Sequence, residues 1–341
     1  MKHIPKGPKV AFSKKGENIS SPIACSPAIK KRGYRISGHE SFSCRYAWLP
    51  KVVRLLQQDA ALIANDEQAM VELGLGKNMV RSALFWAQAT GIIKSSRSGS
   101  SLTEFGDLLL GKGALDPFME DIRTLWLLHW RLSTDIENPL LAWDYLLNRW
   151  HEPDLTPSAA TKVLYEEASR YDEGLSTTTL QKHFEVFLHS YVPTRGKKGK
   201  VQEDNLDCPL VELDLLQKIG DRESLMDNGQ HKPVYVFRRE VKPEITQELF
   251  SYCLADYCLK RYPVEHTIAF RDIAHGHGSP GQIFKLPEED IRARLETIET
   301  VTSGSFVYIE SSQFQQIRRT ELKPDLLKLL KTIYAREVSC V

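Results

Sequence analysis

The sequence predicts a mainly α protein made of tandem winged helix-turn-helix modules with small β-hairpin wings. Three observations carry that reading. Apolar residues recur at helical spacing along most of the 341 residues. A glycine turn, Gly74-Leu75-Gly76, separates two segments of helical period. The order helix, helix, hairpin occurs near the N-terminus and returns in the last third of the chain.

The elements follow in order. Met1 to Arg35 carries nine Lys or Arg and one acid, Glu17, among Pro, Ser and Gly, with no amphipathic period. This predicts a flexible basic arm over residues 1–35, which adds affinity for polyanions without reading sequence. Residues 36–112 are predicted to be an N-terminal winged helix-turn-helix domain. "AWLPKVVRLLQQD" is a helix with Pro50 near its first turn. "NDEQAMVEL" begins with Asn65 or Asp66 as N-cap and acids in the first turn. After the glycine turn, "KNMVRSALFWAQAT" is a second helix ended by Gly91. Val80, Leu84 and Ala87 mark its apolar stripe. Lys77, Asn78, Arg81, Ser82 and Gln88 mark the opposite face, which offers donors to phosphates and base edges. Ile92-Ile93 and Leu102-Thr103 are short strands around a polar tip that holds Arg97.

Residues 113–195 are predicted to be a helical domain. Two apolar helices carry Trp126, Trp130, Trp143 and Trp150, read as core, and break near Asn138-Pro139. A second helix-turn-helix-like pair surrounds Gly174, with Ser176 or Thr177 as N-cap. "RGKKGK" at 195–200 is a basic loop opening a polar linker. Residues 196–341 are predicted to be a C-terminal winged-helix-like domain: "ITQELFSYCLADYCLKRY" and "PEEDIRARLETIE" are helices, "TIAFRDIAHG" is a short helix or turn, and "SFVYIESSQFQQIRR" is a hairpin.

Composition narrows the class. No stretch approaches 18 uncharged apolar residues, so no transmembrane helix is expected. The Lys-rich N-terminus lacks an apolar segment, so no secretory leader is expected. The six cysteines form no CxxC pair and read as reduced thiols of a cytoplasmic protein. The net charge of +1 conceals a basic N-terminus. A Walker A loop is excluded, because aligning on Gly76-Lys77 puts Val71 at its first glycine and Asn78 at its Ser/Thr.

"GHESFSCRYAWLPK" at 38–51 is left over. His39 and Glu40 are types that serve as base or metal ligand, and Arg45 as a phosphate clamp. The alternative is a buried network in which Arg45 pairs with Glu40 to anchor the first helix. "AHGHGSPGQIF" offers His275 and His277 as metal ligands only with partners elsewhere, and reads more simply as a glycine-rich loop. Glu212, Asp214, Glu240 and Lys242 loosely match the acids and lysine of restriction-type nucleases.

Taken together, "GHESFSCRYAWLPK", "LGLGKNMVRSALFWAQATGII", "LDCPLVELDLL" and "SPGQIFKLPE" resemble a bacterial family of formerly unknown function, the SspB type of DNA phosphorothioation systems. The resemblance covers most of the chain from about Gly33. It implies a component of DNA backbone sulfur modification in host defence, one that nicks a strand for sulfur insertion. The implied partners are double-stranded DNA, a cysteine desulfurase, an ATPase and an ATP-pyrophosphatase-like sulfur transferase, with no membrane. Two functions stay open. One is a metal-dependent nicking endonuclease in which Glu40 holds Mg2+, His39 is base or second ligand and Arg45 clamps the phosphate. The other is a non-enzymatic subunit that binds DNA and recruits the enzymes.

Overall fold

The chain is described by a computed structural model over residues 33–96, 99–172, 174–193, 208–223 and 231–335. Among these residues helices dominate, and strands are confined to small antiparallel sheets. Residues 1–32, the tip residue Arg97 and the run "RGKKGK" lie outside the described residues. The predicted arm reached Arg35, yet Tyr34 and Arg35 belong to the folded body. The Arg35 amide donates to the Pro139 carbonyl at 2.9 Å, and its guanidinium lies over the Phe85 ring at 4.3 Å.

The first helices are α1 (Trp48–Gln58), α2 (Ala60–Ala64), α3 (Asp66–Leu73) and α4 (Lys77–Ala89). Their starts follow from capping chemistry. Asn65 Oδ1 accepts from the amides of Glu67 and Gln68 at 3.0 and 3.2 Å, satisfying donors that α3 itself leaves unpaired. Gly74 ends α3 at φ +63, which a glycine adopts without a Cβ penalty. A hairpin follows, β1 (Ile93–Ser96) with β2 (Gly99–Leu102), registered from Ile93–Leu102 to Ser96–Gly99, and then α5 (Glu104–Leu110).

The centre of the fold is α6 (Ile122–Ser133), α7 (Leu141–Asn148), α8 (Pro157–Ala168) and α9 (Thr177–Tyr191). Ser176 caps α9 by accepting from the Thr179 amide at 3.1 Å. Trp126, Trp130 and Trp143 are fully buried, as core residues should be. Trp130 Nε1 donates to Asp256 Oδ2 at 2.7 Å and Trp143 Nε1 to the Tyr191 hydroxyl at 2.9 Å, while the buried Trp126 Nε1 has no hydrogen-bond partner among the described residues.

A 3-10 turn (Pro209–Leu213) leads to a hairpin the sequence had not suggested, β3 (Leu216–Glu223) with β4 (His231–Phe237). The last part runs α10 (Gln247–Arg261), β5 (Thr267–Ala269), α11 (Phe270–His275), α12 (Pro280–Phe284), α13 (Glu288–Glu296), α14 (Ile298–Val301), β6 (Phe306–Glu310), β7 (Gln315–Arg319) and α15 (Leu326–Ile333). The expected hairpin β6–β7 is present, and β5, read as part of a helix or turn, joins it in the order β5-β7-β6. One continuous apolar cluster runs from Ile36 to Ile333.

Candidate nucleic-acid interface and the neighbouring charge network

The α3–turn–α4 unit presents its polar residues in one place. Lys77, Asn78, Arg81 and Gln88 are exposed on α4, as the helical spacing predicted. Ser82, assigned to the same face, is instead fully buried, and its hydroxyl donates to the His39 carbonyl at 2.9 Å. The helix turns further into the core than a single stripe, burying Phe85 and Ala89 as well as Val80 and Ala87, and this carries Ser82 inward. α4 starts at Gly76 with no side-chain cap and no acid in its first turn, so its first amides stay available to an anion. The positive charge is tempered by Asp66, whose carboxylate lies 3.0 Å from Lys77 Nζ and 3.9 Å from Arg81. Its bond to Lys77 holds Asp66 below the usual carboxylate range. All three side chains are about half exposed, where such ion pairs are weak.

The GHESF segment is clamped onto α4. Besides the Ser82 bond, Trp86 Nε1 donates to the Phe42 carbonyl at 3.0 Å, and the Phe42 amide donates to the His39 carbonyl at 2.8 Å. Gly38 adopts φ +104, and a Cβ there would meet Phe85 Cδ2 at 2.8 Å, so only glycine fits. The turn raises Glu40 and Ser41, both exposed and both left-handed at φ 49 and 63. Two successive non-glycine residues in that region store strain, a feature that clusters at functional sites.

His39 does not join them. Its ring is buried and stacks on His183, with centroids 5.3 Å apart. Its Nε2 lies 3.1 Å from His183 Nδ1 and 3.2 Å from the Ile36 carbonyl, and its Nδ1 accepts from the Ser41 amide. The Ala142 amide donates to His183 Nε2 at 3.1 Å. Burial holds both rings neutral; His183 is pushed down to about 3, with the neighbouring His39 adding to the effect. The expected His39–Glu40 pair of ligands or catalysts is therefore split between core and surface. Glu40 is exposed rather than buried, and Arg45 is half-buried with its guanidinium 5.6 Å from the Trp48 ring.

The structure assembles a charge network that the sequence did not suggest. Asp144 on α7 accepts from the Tyr34 hydroxyl at 3.0 Å and from Arg149 at 3.4 Å, and its other oxygen lies 3.0 Å from His277 Nε2. Arg261 donates to His277 Nδ1 at 2.8 Å, which fixes the neutral ring's proton on Nε2, toward Asp144. Glu167 on α8 pairs with Arg149 at 2.8 Å and Arg170 at 2.9 Å. Burial opposes the charge on Asp144, yet the bonds from His277, Arg149 and Tyr34 hold it below the usual carboxylate range. Tyr34 and His277 each lie more than a hundred positions from Asp144, so no local motif announces the network.

The nuclease-like acids do not converge. Glu212 accepts from the Tyr46 hydroxyl, Asp214 accepts from Gln217, and Lys242 is buried with its ammonium donating to the carbonyls of Arg238 and Glu240. Burial pushes Lys242 down to about 8. Among the described residues no group of three His, Cys, Asp or Glu side chains could hold a metal ion. No helix is long and apolar enough to cross a membrane among them.

Two solved structures share this fold. A magnesium ion-bound SspB crystal structure aligns with TM-score 0.75 and 23% identity over 90% of each chain. A second SspB crystal structure aligns with the same TM-score and identity over 90% of this chain and 91% of that one. No curated protein matches the sequence at a significant level. The model of the family described as "Protein of unknown function (DUF4007)" matches residues 36–334, and the chain belongs to that family.

Proposed function

We propose that this protein is a DNA-binding component of a bacterial DNA phosphorothioation system, built like SspB and docking on duplex DNA through α4. The observation that carries the reading is the exposed cluster Lys77, Asn78 and Arg81 at the uncapped start of α4, behind a glycine turn and beside a hairpin. Helix, turn, helix and hairpin in that order is the arrangement of a winged helix, whose second helix enters the major groove. The C-terminal part supports a second module of the same kind, with a strand before its helices joining the later hairpin as β5-β7-β6. The partners are duplex DNA and, in such a system, the cysteine desulfurase, ATPase and ATP-pyrophosphatase-like sulfur transferase.

A second reading, strand nicking, is favoured by the strained tip at Glu40 and by the magnesium in the SspB structure. One exposed carboxylate is not a preformed metal centre. A magnesium ion held there would rest on water and on the phosphates of the bound DNA.

Supercoiled plasmid separates the readings. The purified full chain should retard the plasmid with or without magnesium. Relaxation that needs magnesium and is lost in Glu40→Gln supports nicking by this chain. Retardation without relaxation supports the recruiting role. Neither retardation nor relaxation would overturn the DNA reading.

A further inference from the structure

Beside the turn that precedes α4 lies a cavity of about 780 Å³, formed by α1, the end of α5 and the loop after it. Its size falls within the range of small-molecule sites, roughly 300–1,000 Å³. Lys51, Arg54 and Lys112 line it, together with Tyr46, Gln57 and Phe118, and no acid is among its lining residues within the described part of the chain. Lys51 ties it to the α3–α4 unit, because its ammonium donates to the carbonyl of Leu73, the last residue of α3, at 2.9 Å. The Tyr46 hydroxyl donates to Glu212 and Gln57 Nε2 donates to Asp107 Oδ1 at 2.8 Å, both bonds being exposed.

Phe118 is the unusual member. Its side chain is 71% exposed, although the chain has an ample core. The turn that carries it is stiff. Buried Asp116 accepts from the amides of Glu120 and Asp121, each at 3.0 Å, and from the Thr124 hydroxyl at 2.6 Å. Met119, next to Phe118, is buried and left-handed at φ 59. An apolar ring is thus held out in water at the rim of a basic cavity. A flat aromatic beside cations and amides is the combination that stacks an unpaired base and neutralises its phosphates.

We propose that this cavity receives single-stranded DNA, with an unstacked base against Phe118 and the flanking phosphates on Arg54 and Lys112. The inference rests on the DNA reading and adds a second, strand-separated substrate to it. A protein that grips duplex with α4 can then also hold a base or a strand displaced beside it.

The test compares a flush duplex with a single-stranded oligonucleotide carrying 2-aminopurine, using the full chain. Phe118→Ala removes an exposed side chain, so folding is not at stake. It should weaken single-strand binding roughly tenfold, the scale of one lost base stack, abolish the quenching of 2-aminopurine and leave duplex affinity within about twofold. Arg54→Gln with Lys112→Gln should weaken single-strand binding in the same way, whereas Lys77→Ala with Arg81→Ala should weaken the duplex. Unchanged single-strand affinity in Phe118→Ala overturns the proposal and leaves the cavity to a protein partner. Equal losses on both substrates also overturn it. Wild type that binds duplex but no single strand overturns this inference alone; wild type that binds neither overturns the DNA reading as well.

Discussion

At the scale of single residues, the fold depends on histidines that must stay neutral. His183 is held down to about 3 and His129 to about 4, both chiefly by burial, against an ordinary value of 6.5. The sign follows directly. As pH falls through 6.5 the unfolded chain takes up protons that the folded chain refuses, so stability declines on acidification toward the folded values. Within that window each ring costs about 1.4 kcal/mol per pH unit. Asp144, held below its usual range, adds a loss in the same direction at lower pH. Urea midpoints should therefore fall clearly between about pH 7 and pH 5, and a flat profile there contradicts the buried neutral pair. Glu40 behaves oppositely. It is exposed, so Glu40→Gln should change stability by less than about 0.5 kcal/mol. A large loss by chemical denaturation would mean that its carboxylate has a structural partner. The identity of the GHESF residues was legible in the sequence. Their division was not: the left-handed turn sends Glu40 outward while His39 meets His183, a residue 144 positions away.

At the scale of elements, α3 and α4 were legible because capping and period agree. Asn65, the acids after it, Gly74 and Gly91 punctuate helices of about the expected length. The hairpin β3–β4 was not legible. Beyond Leu216 every β3 residue is at least partly exposed, so "QKIGDRE" has no apolar alternation to mark a strand, and it pairs through its backbone. Ser82 was misplaced because α4 packs on more than one side, against the GHESF turn as well as the core. The pairing of Asp66 with Lys77 and Arg81 gives a test of this element. A DNA phosphate docking on α4 would have to compete with Asp66 for both cations. Asp66→Asn should therefore raise duplex affinity severalfold at low salt, with the gain shrinking as salt screens the pair. Weaker binding in a folded Asp66→Asn protein would mean that the carboxylate positions the cations instead of competing for them.

At the scale of the whole molecule, the mainly α class and the SspB-like fold are what periodicity and the four motifs suggested. The charge network of Tyr34, Asp144, Arg149, Glu167 and His277 exists only at this scale, because folding brings its members together from distant segments. It joins the residues just after the basic N-terminal run to α7, α8 and the loop before α12. Its buried carboxylates are matched by donors on every side, as a stable body requires. That body positions α4, and the central claim is that α4 carries the duplex contact. The direct measurement is duplex affinity of the full chain across a salt series, wild type beside Lys77→Ala with Arg81→Ala. The account predicts weaker binding and a log–log salt slope shallower by about 0.9 for each lost phosphate contact, near 2 for both. A folded double variant with unchanged affinity and slope would contradict it.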